Sequence, residues 1–216
     1  MAEPPLSRPR LTRRRLLGLD RSGPPPPETL RQQPLHPWTL PNAIGFTRLA
    51  LVPVSLVLAL SSDDGRDTVA TSLFALVAVS DYLDGLAARL TGQYSRLGTL
   101  LDPLTDRLLV IAGVIVAWNF DLLPRWALAV LAGREALMVV LTQIGLRKGI
   151  DLKVNMLGRW AVWPTMSALG LAMITETWLS EALLYLGLAM TLAATVLYLQ
   201  DGWGQLRAPD RPSSST

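Results

Sequence analysis

The chain has 216 residues, of which 50% are hydrophobic and 17% charged, and its formal net charge is +3. This composition is too apolar for an ordinary soluble domain of that size, so a membrane protein is the first hypothesis, and nothing indicates a nucleic-acid partner. Cysteine is absent and His36 is the only histidine. Disulfides and Cys-based metal or nucleophile sites are therefore excluded, and His-based catalysis or zinc binding is disfavoured.

The first 35 residues predict a flexible cytosolic tail. They hold an arginine cluster and four consecutive prolines, but no long apolar stretch such as a signal peptide requires. Arg13, Arg14 and Arg15 could bind anionic lipid headgroups, at about 1 kcal/mol each. Around His36 and Trp38, a short amphipathic helix lying in the membrane interface and a plain linker fit the sequence equally well.

Six apolar windows follow the tail, and a helical crossing of a bilayer needs about 20 residues. The windows lie at roughly 43–61, 68–91, 97–118, 124–147, 155–175 and 179–200. The sequence therefore predicts an all-α integral membrane protein with six transmembrane helices. The membrane domain covers 36–203, between the tail at 1–35 and a second flexible cytosolic tail at 204–216.

The short connections between the windows predict that both termini lie inside, because Lys and Arg in short loops stay on the cytoplasmic side. The inner side receives the N-terminal arginine cluster and Arg89, Arg96, Arg147, Lys148, Lys153 and Arg207. The opposite loops are acidic, with Asp63, Asp64, Asp67, Asp121 and Glu176 outnumbering Arg66. We expect a multi-pass membrane protein with both termini in the cytosol.

Four carboxylates stand out in the stretch "DYLDGLAARLTGQYSRLGTLLDPLTD". Asp81 and Asp84 fall in the inner half of the second predicted span, and Asp102 and Asp106 fall in the inner half of the third. Spacings of three and four residues place the members of each pair about 60° and about 40° apart on a helix, which is a single face. Four anions gathered in a membrane are strongly unfavourable without cations. Oxygen-only ligands indicate a hard metal such as Mg²⁺ or Mn²⁺, as one ion or two.

Small residues accompany these carboxylates. Gly85, Ala88 and Gly98 leave space in which a bulky ligand could approach the backbone, and small residues also let membrane helices pack closely. Together they predict a ligand pocket walled by the second and third spans.

The spacing of these residues resembles the complete signature of the CDP-alcohol phosphotransferase family. The signature runs Asp81, two residues, Asp84-Gly85, two residues, Ala88-Arg89, eight residues, Gly98, three residues, Asp102, three residues, Asp106. The stretch "TLPNAIGFTRLALVP" is also similar to the bacterial phosphatidyltransferase branch, which includes phosphatidylglycerophosphate synthases and cardiolipin synthase-like proteins. The resemblance extends more loosely from about residue 38 to 200.

This resemblance implies an enzyme that transfers a phosphatidyl group from CDP-diacylglycerol to an acceptor hydroxyl and releases CMP at the cytosolic face. It implies that Asp81, Asp84 and Asp102 are metal ligands, and that Asp106 is the catalytic base and also touches a metal. Two divalent ions, Mg²⁺ or Mn²⁺, and a homodimer are implied in the same way. The donor-binding residues would be Asn42, Gly85, Ala88, Arg89 and Gly98.

The acceptor is not decided by these motifs. Arg134-Glu135 resembles an Arg-acidic pair of phosphatidylglycerophosphate synthases and of eukaryote-type cardiolipin synthases, and arginine suits a phosphate. Arg134 with Arg147, Lys153 and Arg159 could form a basic acceptor pocket, although the last three could equally be positive-inside loop charges. The glycerophosphate branch has a second arginine where this chain has Thr142-Gln143, and a Gly-Lys-x-Lys-Thr element where it has Gly158-Arg159-Trp160-Ala161-Val162. Glycerol-3-phosphate and phosphatidylglycerol both stay open.

Two other classes also place charge inside a helical bundle. A transporter or ion-binding protein would carry ionisable residues along a route through the membrane, whereas these carboxylates gather near one face. A membrane prenyltransferase also uses Asp-rich motifs with Mg²⁺ and a diphosphate, but six spans are few for that group. Metal-dependent CMP release separates the transferase from both.

Overall fold

The computed structural model describes residues 39–91, 96–147 and 156–207, and over these ranges the chain is helical, with no strand. An all-α fold is therefore confirmed for the described residues. The helices are α1 (Leu40–Leu60), α2 (Thr68–Thr91), α3 (Arg96–Asn119), α4 (Arg125–Arg147), α5 (Met156–Ala172) and α6 (Trp178–Arg207). Each of the six apolar windows coincides with one of them. The proposed interfacial helix at His36 and Trp38 lies outside the described residues.

Three described helices are long and apolar enough to cross a membrane, namely α1 over Asn42–Leu60, α4 over Arg125–Ile144 and α6 over Trp178–Gln200. Most of each apolar window is not buried within the chain, as expected for helices whose outer faces meet lipid. In α2, the residues with described side chains form a shorter apolar stretch, Thr68–Ser80. The structure therefore supports a membrane protein, while the prediction of six spans with both termini inside stays untested.

Side-chain caps and prolines shape the individual helices. The Thr39 hydroxyl accepts a hydrogen bond from the Asn42 amide at 3.3 Å, and the Asp67 carboxylate accepts one from the Ala70 amide at 2.7 Å, so both residues cap helix N-termini. Pro53, Pro103 and Pro164 lie inside α1, α3 and α5. Membrane helices tolerate such prolines because neighbouring groups satisfy the released backbone carbonyls.

The chain divides into two compact units, of which the first comprises the described part of Met1–Leu51 together with Leu76–Asp106, and the second comprises Val52–Ala75 and Arg107–Thr216. In the second unit α5 packs closely along α6, at Gly187. A Cβ added there would lie 2.9 Å from the Thr165 backbone nitrogen, so only glycine fits this contact.

The loop ends of the second unit are held by polar contacts. The Thr71 hydroxyl of α2 donates to the Met173 carbonyl at 3.0 Å, and Arg66 pairs with Glu176 at 2.9 Å. Gly65 has a φ of 74° and lies against Phe120, where a side chain could not fit. These contacts join the α1–α2 connection to the end of α3 and to the α5–α6 connection.

Candidate active site

One face of α1 is buried, and it contains polar residues as well as apolar ones. The buried positions recur at helical spacing, at Asn42, Gly45, Arg48, Val52, Ser55 and Ala59. In the first unit this face meets α3, because a Cβ on Gly45 would lie 3.5 Å from Leu101 Cδ1. Arg48 stands one turn after Gly45 and continues the same contact.

Arg48 forms ion pairs with two of the predicted site carboxylates. Its Nη2 donates a hydrogen bond to Asp106 Oδ1 at 3.2 Å, and its Nη1 lies 4.0 Å from Asp102 Oδ1. The Arg48 side chain is only 2% exposed, whereas those of Asp102 and Asp106 are 48% and 38% exposed. The guanidinium is thus buried, whereas the two carboxylates keep an accessible surface on which a ligand could be bound.

The spacing of Asp102 and Asp106 on α3 explains why one arginine reaches both. Residues four apart lie on the same face of a helix, one turn above the other. Pro103 stands between them and has no amide hydrogen, so the Thr99 carbonyl loses its helical donor at this level.

Thr105 is fully buried, and its hydroxyl has no hydrogen-bond partner within the part of the chain that the structure describes. Thr47, by contrast, donates to the carbonyl one turn earlier.

The other pair, Asp81 and Asp84, lies on the helical backbone of α2. Their side chains, and those of Ala88 and Arg89, lie outside what the structure describes, as does the surrounding of Gly85. Among the described side chains, no group of three or more His, Asp or Glu could hold a metal ion. The described site thus brings together Asp102 and Asp106, which are two of the four predicted ligands.

The remaining predicted donor residues of the first unit are Asn42 and Gly98. Asn42 is fully buried and Gly98 is partly exposed at the start of α3. Their predicted contacts with a CDP donor stay predictions. The chemistry of the described groups nevertheless fits a divalent metal, because two accessible carboxylates on one helix face are hard oxygen ligands.

The predicted acceptor residue Arg134 belongs to the second unit. Its Nε donates to the Thr195 hydroxyl of α6 at 3.1 Å, and its Nη1 pairs with the neighbouring Glu135. Both charged side chains are largely buried, so the pair fixes the guanidinium on α4. The side chains of Arg147 and Arg159 are outside the described set. Thr142 donates to the Met138 carbonyl at 2.7 Å, as helical threonines commonly do.

Arg48 was missed by reasoning from the sequence. The stretch that contains it, "TLPNAIGFTRLALVP", was matched to a family pattern without assigning this residue a role. A charged residue inside an otherwise apolar span is a functional signal by default, and that signal could have identified it. Its partner Asp106 lies 58 residues away, so no local spacing reveals the pair.

Comparison with known proteins gives the same family as the motif. The family model described as CDP-alcohol phosphatidyltransferase matches residues 38–193. The chain is 38% identical over 167 residues to the cardiolipin synthase (CMP-forming) of Streptomyces coelicolor, which covers 74% of this chain and 77% of that protein. It is 32% identical over 143 residues to the CDP-diacylglycerol–glycerol-3-phosphate 3-phosphatidyltransferase of Bacillus subtilis. This match covers 61% of this chain and 74% of that protein. The human cardiolipin synthase (CMP-forming) is 34% identical over 105 residues, covering 48% and 34%. The chain therefore belongs to the CDP-alcohol phosphatidyltransferase family.

Proposed function

We propose that this protein transfers a phosphatidyl group from CDP-diacylglycerol to the hydroxyl of an acceptor and releases CMP. The observation that carries the proposal is that the family match over residues 38–193 includes the whole four-aspartate motif. Two of those aspartates stand side by side on α3 with accessible carboxylates. Relatives with this activity in their names favour the transferase over a transporter or a prenyltransferase.

The family generally depends on divalent metal ions. Asp81, Asp84, Asp102 and Asp106 would hold two ions, Mg²⁺ or Mn²⁺, which when bound neutralise the diphosphate and the departing CMP oxygen. Asp106 accepts the proton of the acceptor hydroxyl while the hydroxyl oxygen attacks the phosphorus of the phosphatidyl group. The bond from that phosphorus to the CMP oxygen breaks, and CMP leaves.

Donor recognition falls to the residues framing the carboxylates. The proposed contacts are made by Asn42, Gly85, Ala88, Arg89 and Gly98. Gly85, Ala88 and Gly98 leave room beside the backbone, and Arg89 offers a guanidinium that can bind a phosphate oxygen.

For the acceptor we favour phosphatidylglycerol, which gives cardiolipin. The Streptomyces relative named as a cardiolipin synthase is matched at 38% identity over 74% of this chain, against 32% over 61% for the Bacillus glycerol-3-phosphate enzyme. Thr142 and Gln143 also stand where the glycerophosphate branch has its second arginine. Arg134 is the proposed acceptor-phosphate ligand, with Arg147 and Arg159 as further basic contacts.

The proposed setting is the inner membrane of a bacterium, with six spans, both termini inside and the active site facing the cytosol. Support comes from the apolar helices α1, α4 and α6 and from the sidedness of the loop charges. A homodimer is proposed from the family resemblance. The tails at 1–35 and 204–216 are proposed to lie outside the catalytic domain, whose family match begins at residue 38.

The test is an assay of the purified protein in mixed micelles containing CDP-diacylglycerol, with phosphatidylglycerol or glycerol-3-phosphate as the second substrate. We expect Mg²⁺- or Mn²⁺-dependent release of CMP, with cardiolipin as the lipid product, and loss of the activity on addition of EDTA. CMP release with glycerol-3-phosphate but not with phosphatidylglycerol would show that glycerol-3-phosphate is the acceptor. No CMP release with either acceptor would refute the proposed function.

A further inference from the structure

Arg48 is a buried cation for which the proposed reaction has assigned no role. It lies in the apolar stretch Asn42–Leu60 of α1, where a charged residue is costly unless it is paired. It pairs with two carboxylates of the proposed site, 54 and 58 positions further along the chain. The two ion pairs offset this cost, and they direct the guanidinium at carboxylates of the proposed site.

We propose that Arg48 is a positioning residue that orients the Asp106 carboxylate for proton transfer from the acceptor hydroxyl. The inference rests on the proposed function, in which Asp106 is the base. It assigns Arg48 to the carboxylate and not to the substrate, and thereby adds a member of α1 to a site that the motif places on α2 and α3.

The exposures of the three side chains support an indirect role. Arg48 is 2% exposed, so a ligand bound at the accessible carboxylates of Asp102 and Asp106 would not reach the guanidinium in this arrangement. Asp102 and Asp106 present accessible surface, whereas the guanidinium does not. Arg48 therefore acts through them.

The geometry indicates which carboxylate is held. The 3.2 Å hydrogen bond from Nη2 to Asp106 Oδ1 is within bonding distance, whereas the 4.0 Å separation of Nη1 from Asp102 Oδ1 is only an ion pair. A guanidinium is planar, permanently charged and rigid. A hydrogen bond from it therefore orients the carboxylate and also stabilises the negative charge of that carboxylate. Gly45, one turn earlier, brings α1 close to Leu101 and so sets the position from which Arg48 reaches across.

The experiment compares Arg48→Gln and Arg48→Lys with the wild-type protein. Arg66→Gln is the matched control, because Arg66 is also an ion-paired arginine, bound to Glu176 at 2.9 Å, and has no place in the proposed reaction. For each variant, kcat and the KM for CDP-diacylglycerol are measured by CMP release. Bound Mn²⁺ is counted by electron paramagnetic resonance, and the melting temperature reports on folding.

We expect Arg48→Gln to lower kcat by about 10–100-fold, the range seen when an outer partner of a catalytic ligand is removed. The KM for the donor and the number of bound Mn²⁺ ions should stay near the wild-type values, which a general loss of structure would not allow. Arg48→Lys keeps the charge without the planar fork and should recover part of kcat. Arg66→Gln should match the wild type.

A rise in the KM for CDP-diacylglycerol at unchanged kcat would overturn the inference, because Arg48 would then bind the donor. Wild-type kcat in a folded Arg48→Gln protein would also overturn it while leaving the proposed function intact. If Arg48→Gln does not fold, Arg48→Lys replaces it in the test. A wild-type kcat in Arg48→Lys would then show that the oriented hydrogen bond is not needed, and would overturn the inference. Absence of CMP release from the wild-type protein would overturn the proposed function and this inference together.

Discussion

Replacing Asp106 with asparagine removes the proposed base and preserves the shape of the side chain. The amide oxygen can still accept the hydrogen bond that Arg48 Nη2 makes to Oδ1 at 3.2 Å, and Asp102 remains as a counter-charge 4.0 Å from Nη1. We therefore expect a structural cost near the difference between a charged and a neutral hydrogen bond, about 1 kcal/mol. For a chain of this size that corresponds to a fall in melting temperature of about 2–4 °C.

The catalytic cost should be much larger. General base catalysis contributes about 10²–10⁴-fold, so Asp106→Asn should lower kcat by that factor, or about 2.7–5.5 kcal/mol of transition-state stabilisation. The assay measures CMP release together with Mn²⁺-dependent binding of CDP-diacylglycerol. Asp106→Asn should largely retain this binding.

Asp121→Asn is the matched control for Asp106→Asn. Asp121 is an exposed aspartate paired with Arg125 at 2.6 Å, and its φ of 52° is a conformation that asparagine tolerates. This change should leave kcat within about twofold of the wild type, because exposed ion pairs contribute little. Turnover by Asp106→Asn near the wild-type rate would refute the assignment of the base. Loss of donor binding in step with kcat would instead make Asp106 a metal ligand only.

Three further predictions concern the acceptor, the packing and the tail. Arg134→Gln should raise the KM for the acceptor by about 10–100-fold, the value of a charged hydrogen bond, and Arg125→Gln should not; an unchanged acceptor KM would remove Arg134 from the acceptor site. Gly187→Ala should lower the melting temperature by about 2–12 °C, because the added Cβ meets the Thr165 backbone at 2.9 Å and overpacking costs about 1–3 kcal/mol. Gly133→Ala is its control, since a Cβ there has no neighbour within 4 Å, and equal melting temperatures for the two variants would contradict the packing account. Deleting residues 1–35 should leave kcat within about twofold, as for changes remote from a site; a much larger loss in a folded truncation would give the tail a catalytic role.

Hydropathy predicted where the helices lie, because each apolar window is long enough to form one. It was less accurate at their ends. α1 begins at Leu40 and not at 43, because the Thr39 cap and not hydropathy sets its start. α6 continues to Arg207, past the window that ended at 200, because backbone hydrogen bonding continues a helix through polar residues. Among the described residues, three helices are apolar and long enough by themselves to be assigned as spans.

The spacing of the motif predicted that Asp102 and Asp106 share a face of α3, because that relation follows from helix geometry alone. The family resemblance is confirmed by the match over residues 38–193. Neither source could give the partners of the charged groups. Arg48 meets Asp106, and Arg134 meets Thr195 across 61 positions, and such contacts depend on how separate helices pack.

The position of Arg48 also bears on the order in which the protein is assembled. During synthesis α1 leaves the ribosome before α3, because it precedes α3 in the chain. An arginine at the centre of an inserting helix costs about 2.5–3.5 kcal/mol, and less towards its ends. The stretch Asn42–Leu60 keeps a mean hydropathy of 2.0 with Arg48 included, so α1 can insert alone. The ion pairs of Arg48 with Asp102 and Asp106 can therefore form only after α3 has been synthesised. Packing of α3 against α1 is then a later step than the synthesis of α1.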